Sequence, residues 1–303
     1  MAVPEIEITE NGIRHCPAPA KLNLFLHVTG RRQDGYHLLE TAFQLIGLYD
    51  YLHFTRRHDG QIRRITPNGD IDENDDLTVR AARLLQDTAY RRKGLRVPGV
   101  DIALQKHIPE GGGLGGGSSD AATTLIALNH LWRCRFGRHE LMALGVQLGA
   151  DIPFFLFGEN AFAQGIGEKL TPLTTPDGWF VVIKPPVSVP TATIFRANEL
   201  TRNTEPIIIF DFPGFRERAD HFGKNDLQPV AAKLYPEIGK ALDELGQFGN
   251  ARMTGSGACV FARFDNVAQA KETAGKLAGT WEVLTAEGLP YHPLKYLLDN
   301  KGE

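Results

Sequence analysis

The sequence predicts an α+β protein of two domains. Its 303 residues exceed what one ordinary core needs and suit two. A strand of period two stands beside amphipathic helices in the first half. The second half mixes helical and strand-like segments without the regular alternation of a doubly wound fold. Hydrophobic residues make up 42 % of the chain and charged residues 23 %, the balance of a folded, soluble protein. A net charge of −3 creates no field for nucleic acid or an acidic membrane, so an anionic ligand has to be held locally. The basic stretches TRRHDGQIRR (55–64) and YRRKGLR (90–96) lack the interleaved aromatics of a nucleic-acid platform and read as solvated surface. Cys16, Cys134 and Cys259 lie far apart, in neither a disulfide framework nor a zinc-site spacing, which fits a reducing cytoplasm. MAVPEIEITENG has no basic segment followed by an apolar one, and no apolar run reaches membrane-spanning length. Export, membrane insertion and an obligate protein partner are therefore not expected.

Taken in order, KLNLFLHV (21–28) alternates Leu22, Leu24, Leu26 and Val28 with Lys21, Asn23, Phe25 and His27, the pattern of a half-buried strand with Lys21 and Asn23 on its second face. Residues 75–94 place Leu77, Ala81, Leu84 and Leu85 on one side of an amphipathic helix. A strand follows over 100–109, ended by Pro109. SSDAATTLIALNHLW (118–132) opens with residues suited to an N-cap and spaces Ala121, Leu125, Leu128 and Trp132 as a helix. A further helix over 138–149 ends at Gly149, and Pro153 forbids simple continuation, leaving Asp151 at a turn. Around 162–165 the pattern changes to strands and prolines, which divides the chain into 1–163 and 164–303. Beyond it, VVIKPP (181–186) and CVFARF (259–264) read as strands, and 224–245 as helical.

Between the strand over 100–109 and the helix over 118–132 lies PEGGGLGGGSSDAATTL (109–125), with six glycines in seven positions. Glycine loses more conformational freedom on folding than any other residue, so such a run implies that something approaches the bare backbone. The N–H groups of a helix N-terminus and of glycines ahead of it can converge on a phosphate. Each helix-end contact contributes only about 0.3–2 kcal/mol, so several must act together. Gly111, Gly113 and Gly116 also spell GxGxxG, but a dinucleotide fold expects an acidic residue about 20 positions later, and NHLWRCRFGRHE reads there as helix and loop. Neither GxxxxGK[ST] nor the HRD and DFG elements of protein kinases are present.

Three separated stretches, PAPAKLNLFLHVTGRRQDGYHLLET (17–41), PEGGGLGGGSSDAATTL (109–125) and MTGSGACVFARF (253–264), resemble the motifs of the GHMP small-molecule kinases. AKLNLFL, DGYH, GGGLGGGSS, LGADIPFF and PVSVPTATIF extend the likeness over nearly the whole chain, in the family's order. The resemblance implies a two-domain fold with its active site in the interdomain cleft. It also implies ATP and Mg²⁺, and a small-molecule substrate, a cytidine diphosphate-linked methylerythritol phosphorylated on its 2-hydroxyl in the non-mevalonate isoprenoid route. Another alcohol of the homoserine or mevalonate type, and a non-catalytic nucleotide-binding protein on the same fold, are the competing readings.

Residue by residue, the resemblance implies a catalytic Asp151 taking the hydroxyl proton, with partial desolvation against the PFF segment strengthening it, and Lys21 beside it. ATP would lie on Pro109, Gly111, Gly112, Gly113, Leu114, Gly115, Gly116 and Gly117, with Lys106 near the adenine. Ser118 and Ser119 would cap the helix near Mg²⁺ or the phosphates; capping alone is the other reading for one of them. Asp120 reads as a helix-end carboxylate with no catalytic role. Asn23, Tyr36 and His37 would bind the cytidine diphosphate, Tyr36 and Phe195 by stacking on the cytosine, with core packing as the alternative for both rings. Thr191 matches a position near the substrate, and Gly255, Ser256 and Gly257 suit backbone approach to phosphate or substrate, or a simple hairpin turn. Asp76 replaces the asparagine of the family's Asn-Leu pair and lacks its amide donor. The resemblance assigns no metal ligands.

Overall fold

The computed structural model describes residues 5–66, 72–207 and 214–299. In chain order β1 (Glu7–Thr9), β2 (Gly12–Arg31), β3 (His37–Arg57) and β4 (Ile62–Arg64) precede α1 (Leu77–Lys93), β5 (Gly99–Gln105), α2 (Gly116–Leu131), α3 (Arg138–Leu148) and α4 (Ile152–Phe157). Then come β6 (Ala161–Gln164), β7 (Lys169–Pro172), β8 (Trp179–Lys184), α5 (Thr191–Arg196), α6 (Phe215–Arg218), α7 (Gln228–Leu234) and α8 (Pro236–Gly246). The chain continues through β9 (Arg252–Met253), β10 (Val260–Phe264), α9 (Val267–Leu277), β11 (Glu282–Leu289) and α10 (Lys295–Asp299). The strands connect in the order β1-β2-β3-β11-β8-β10-β9, with β5 and β6 also pairing with β3.

The long β2–β3 hairpin is the frame. Its turn is set by Asp34, whose carboxylate accepts the Tyr36 N–H at 3.2 Å, and by Gly35 at φ 92°. Pro17 and Pro19 cannot donate to a ladder, and the β2–β3 register slips at four points, one of them between Pro19 and Ala20 and another between Asn23 and Leu26. The alternation over 21–28 predicts one wet face, yet every residue from Lys21 to Val28 is buried. The reason is tertiary: α2 packs on one face of β2, while Leu26 and Val28 join the core of the second half. A third cluster, with Leu22, Phe25, Ile108 and Leu114 against Phe180, Val182, Cys259 and Phe261, continues the core between the halves.

Helix α1 keeps its expected ends. Asp76 caps it by accepting the Thr78 N–H at 2.8 Å, and Gly94 closes it at φ 62°. Helix α2 does not begin with its serines. Gly115 is the N-cap at φ 75°, with no side-chain cap, so Ser118 and Ser119 fall inside the first turn. Where a turn is expected after Gly149, Pro153 sits in the first turn of the short α4, a position that needs no donated N–H. The helical stretch over 224–245 is two helices, broken at Tyr235 ahead of Pro236.

Gly113 shows why the loop before α2 is glycine. At φ 77°, a Cβ on it would lie 2.3 Å from the Thr254 carbonyl oxygen. Gly113→Ala is expected to destabilise the protein by about 1–3 kcal/mol in urea unfolding. Gly275→Ala, in α9 with open space around it, is expected to stabilise by about 0.5–1 kcal/mol.

Candidate active site

Two cavities meet at the first turn of α2. The smaller, about 350 Å³, is lined by residues 108–117 together with Asp76, Thr78, Lys106 and Asp120. The larger, about 1100 Å³, is lined by Tyr36, His37, Ser118, Asp151, Thr191 and Phe195 among others. Gly117 belongs to the first and Ser118 to the second, so consecutive residues join them.

Lys21 lies beneath the junction. It is 3 % exposed, its Nζ donates to Asn23 Oδ1 at 2.6 Å, and it stands 3.7 Å from Asp151 Oδ2. A Cβ on Gly115 would come within 3.2 Å of the Lys21 chain, so the loop rests directly on it. Burial pulls the Lys21 pKa below the ordinary lysine value, and the Asp151 carboxylate opposes that shift. Asp151 stands at the N-terminus of α4 but makes no cap hydrogen bond, which leaves its oxygens to the cavity. Its side chain is 38 % exposed, partly covered and partly open to the cavity, while Phe154 and Phe155 of the PFF segment turn into the core.

A second cation marks the other side of the loop. Lys106 Nζ donates to Asp50 Oδ2 at 2.6 Å and to Asp120 Oδ2 at 2.9 Å, and a Cβ on Gly116 would lie 3.2 Å from it. Asp120 is thus part of a buried ion triad, not a carboxylate capping the helix end. Burial pulls the Lys106 pKa down, but Asp120 and Asp50 together outweigh it and hold the pKa above the usual value. One ammonium shared by two buried carboxylates leaves an excess negative charge; burial, then Asp50, pushes the Asp120 carboxyl up to about 8. Asp76 is also committed, accepting from Thr78 and, through Oδ2, from Arg64 Nη1 at 2.7 Å.

Several expected residues sit away from the cavity walls. Asn23 is buried behind Lys21, its Oδ1 accepting from Lys21 and its Nδ2 donating to Thr41 Oγ1 at 2.9 Å. Gly255 and Gly257 pack on the glycine loop: a Cβ on Gly255 would meet the Gly113 Cα at 3.2 Å, and the Gly257 carbonyl faces Gly113. Ser256 reaches the Thr191 hydroxyl at 2.8 Å. Tyr36 is 61 % exposed and so is not core. Phe195 already stacks on His37, ring centroids 4.9 Å apart. The sequence reading missed Arg31, Arg196 and Arg202 on the larger cavity, and Asp50 in the triad. Arg31 adjoins the DGYH turn and could have been found there; Asp50 and Arg202 carry no local signal.

Among the described residues no group of three or more His, Cys, Asp or Glu could cage a metal, and no helix is long and apolar enough to cross a membrane.

A family model for the GHMP kinases N terminal domain matches residues 76–159, and one for the GHMP kinases C terminal domain matches 205–283. The chain is 58 % identical over 285 residues to the 4-diphosphocytidyl-2-C-methyl-D-erythritol kinase of Janthinobacterium sp. (strain Marseille), covering 94 % of this chain and 98 % of that protein. It belongs to the 4-diphosphocytidyl-2-C-methyl-D-erythritol kinase family of the GHMP kinases. The enzyme of the same name from Herminiimonas arsenicoxydans is also 58 % identical, over the same shares of both chains. A crystal structure of a 4-(cytidine 5'-diphospho)-2C-methyl-D-erythritol kinase superposes with a TM-score of 0.76 at 34 % identity, covering 90 % of this chain and 98 % of that one. A homoserine kinase from Cytophaga hutchinsonii, at 15 % identity and a TM-score of 0.66 over 90 % of this chain and 93 % of its own, shares the fold.

The ion triad gives this kinase a pH-dependent stability. A carboxyl whose folded pKa is raised binds its proton more tightly in the folded state, so its contribution is full below the unfolded value near 4 and is lost as pH rises toward about 8. Urea unfolding between pH 5 and 8 should show wild-type stability falling by up to ~1.4 kcal/mol per pH unit, and Asp120→Asn should flatten that slope.

Proposed function

We propose that the chain transfers the γ-phosphoryl group of ATP to the 2-hydroxyl of 4-diphosphocytidyl-2-C-methyl-D-erythritol, in the non-mevalonate route to isoprenoid precursors. The observation that carries this reading is the junction at α2: a glycine-lined cavity and a larger one meet at Gly117 and Ser118, with Lys21 and Asp151 side by side beneath. A donor on one side and an acceptor alcohol on the other would meet at a buried cation and an accessible carboxylate.

The triphosphate lies along 109–117, on the N–H groups of the loop and the first turn of α2. Lys106, its ammonium at Gly116, acts toward the phosphates rather than the base. The acceptor hydroxyl gives its proton to Asp151 as its oxygen bonds to the γ-phosphorus and the bond to the β,γ-bridging oxygen breaks, releasing ADP. Lys21 holds Asp151 in place and offsets charge on the transferring group, and Asn23 positions Lys21. Mg²⁺ fits an oxygen site of few protein ligands: the Ser119 hydroxyl is buried in the first turn of α2 with no hydrogen-bond partner among the described residues, and Ser118 lies beside it. Mg²⁺ bound by these hydroxyls and the phosphates would neutralise phosphate charge.

Tyr36, His37, Phe195 and Thr191 form the pocket for the cytidine diphosphate, Gly255, Ser256 and Gly257 brace the glycine loop and Thr191, and Arg31 and Arg196 offer charge to the diphosphate. Residues 1–163 supply the nucleotide site and 164–303 the opposing lobe. The reaction is assigned to the cytoplasm, in keeping with three buried free cysteines.

The test is transfer from γ-labelled ATP with Mg²⁺ to the complete cytidine compound, to its form lacking the nucleotide, to homoserine and to mevalonate. Transfer to the complete compound alone is expected; transfer to another alcohol instead would overturn the substrate. Asp151→Asn should stay folded, with a lowered melting temperature because Lys21 loses a compensating charge, and should lower kcat by at least ~10²-fold.

A further inference from the structure

His37 projects from the end of the β2–β3 turn into the larger cavity, and one of its two ring nitrogens is already spoken for. Arg202 Nε donates to His37 Nε2 at 3.2 Å. The guanidinium is held in place by three backbone carbonyls: Nη1 donates to Leu200 at 3.0 Å, and Nη2 to Phe195 at 3.1 Å and Ala197 at 2.7 Å. Arginine has donors only and stays protonated, so the nitrogen facing it must be a bare acceptor. The other nitrogen, Nδ1, has no hydrogen-bond partner among the described residues and is not buried. Phe195, stacked on the imidazole at 29°, fixes the plane of the ring.

We propose that Arg202 is a positioning residue that locks His37 as the Nδ1–H tautomer, making it a hydrogen-bond donor that selects a cytosine over a uracil. Cytosine offers acceptors at O2 and N3; uracil carries a proton at N3. A fixed donor therefore pairs with N3 of cytosine and meets a second donor in uracil, which leaves two donors unpaired. A histidine free to choose its tautomer would serve both bases. The surroundings keep the ring neutral: burial, then Arg202 and Arg31, hold the His37 pKa below the ordinary histidine value. The inference rests on the cytidine reading of the cavity and adds to it the group that enforces the choice.

Two measurements separate this inference from that reading. Long-range ¹H–¹⁵N NMR of the ligand-free protein with ¹⁵N-labelled histidine, assigned through His37→Gln, reports which nitrogen carries the proton without reference to any substrate. The proton is expected on Nδ1 in wild type and in Arg202→Lys, and distributed over both nitrogens in Arg202→Met. A proton on Nε2 in wild type would overturn the proposal and leave the kinase reading intact. The second measurement is kcat/KM for the cytidine compound and its uridine analogue. Arg202→Met should reduce the preference for cytidine at least ~10-fold, with the loss concentrated in KM, and Arg202→Lys should restore part of it. An unchanged preference in Arg202→Met would also overturn the proposal, whereas a wild type that phosphorylates neither compound would overturn the kinase reading itself.

Discussion

Everything in this molecule hangs on one seam, the docking of the glycine loop between the two halves. The Leu114 carbonyl accepts the Lys21 N–H of β2 at 2.9 Å, while the Gly111 and Gly112 carbonyls accept the N–H groups of Ala258 and Cys259 at 3.3 and 3.1 Å. Thr254 Oγ1 is 3.3 Å from the Gly113 carbonyl and accepts the Asn23 N–H at 3.0 Å. A dense run of glycine implies close approach to bare backbone, and here the approaching groups include the chain's own second half. A Cβ on Gly112 would lie 2.4 Å from Cys259 Sγ. The loop's carbonyls are turned toward the protein, which frees its N–H groups for an anion.

The seam also explains where the charges sit. Lys21 and Lys106 flank the loop at Gly115 and Gly116; Lys21 is held by Asn23 of its own strand and by the distant Asp151, and Lys106 by Asp50 and Asp120, both distant in sequence. Taking a lysine out of water costs several kcal/mol unless partners compensate, and removing one partner leaves the other charge stranded. Asn23 and Asp151 compensate Lys21; Asp50 and Asp120 compensate Lys106. In the proposed reaction the two ammonium groups beside the loop, each offset by its carboxylate partners, act on phosphate as fixed donors rather than as a net positive field.

How much could be read from the chain depended on the range of the interaction. The ends of α1 were legible because Asp76 and Gly94 act on their own neighbours. The Lys21 and Asp151 pair was legible only through family motifs, since 130 positions of chain separate strand from turn and no period joins them. The burial of both faces of β2 was not legible, because Leu26 and Val28 on the apolar face enter the core of the second half while Lys21 and Asn23 on the other face are covered by the glycine loop, Asp151 and Thr41, all distant in sequence. The start of α2 was misread for a physical reason: hydroxyl residues signal a cap, but Gly115 in a left-handed conformation took that position and displaced the serines into the helix. Arg202 escaped notice because its partners are backbone carbonyls and one histidine on a different element.

In the proposed reaction the seam delivers the terminal phosphate to the pair beneath it. A crystal structure with a non-hydrolysable ATP analogue, Mg²⁺ and 4-diphosphocytidyl-2-C-methyl-D-erythritol tests it most directly. The triphosphate is expected along residues 109–117, with the 2-hydroxyl within hydrogen-bond reach of Asp151 and in line with the γ-phosphorus. A triphosphate bound away from the loop, or a 2-hydroxyl directed away from Asp151, would contradict it.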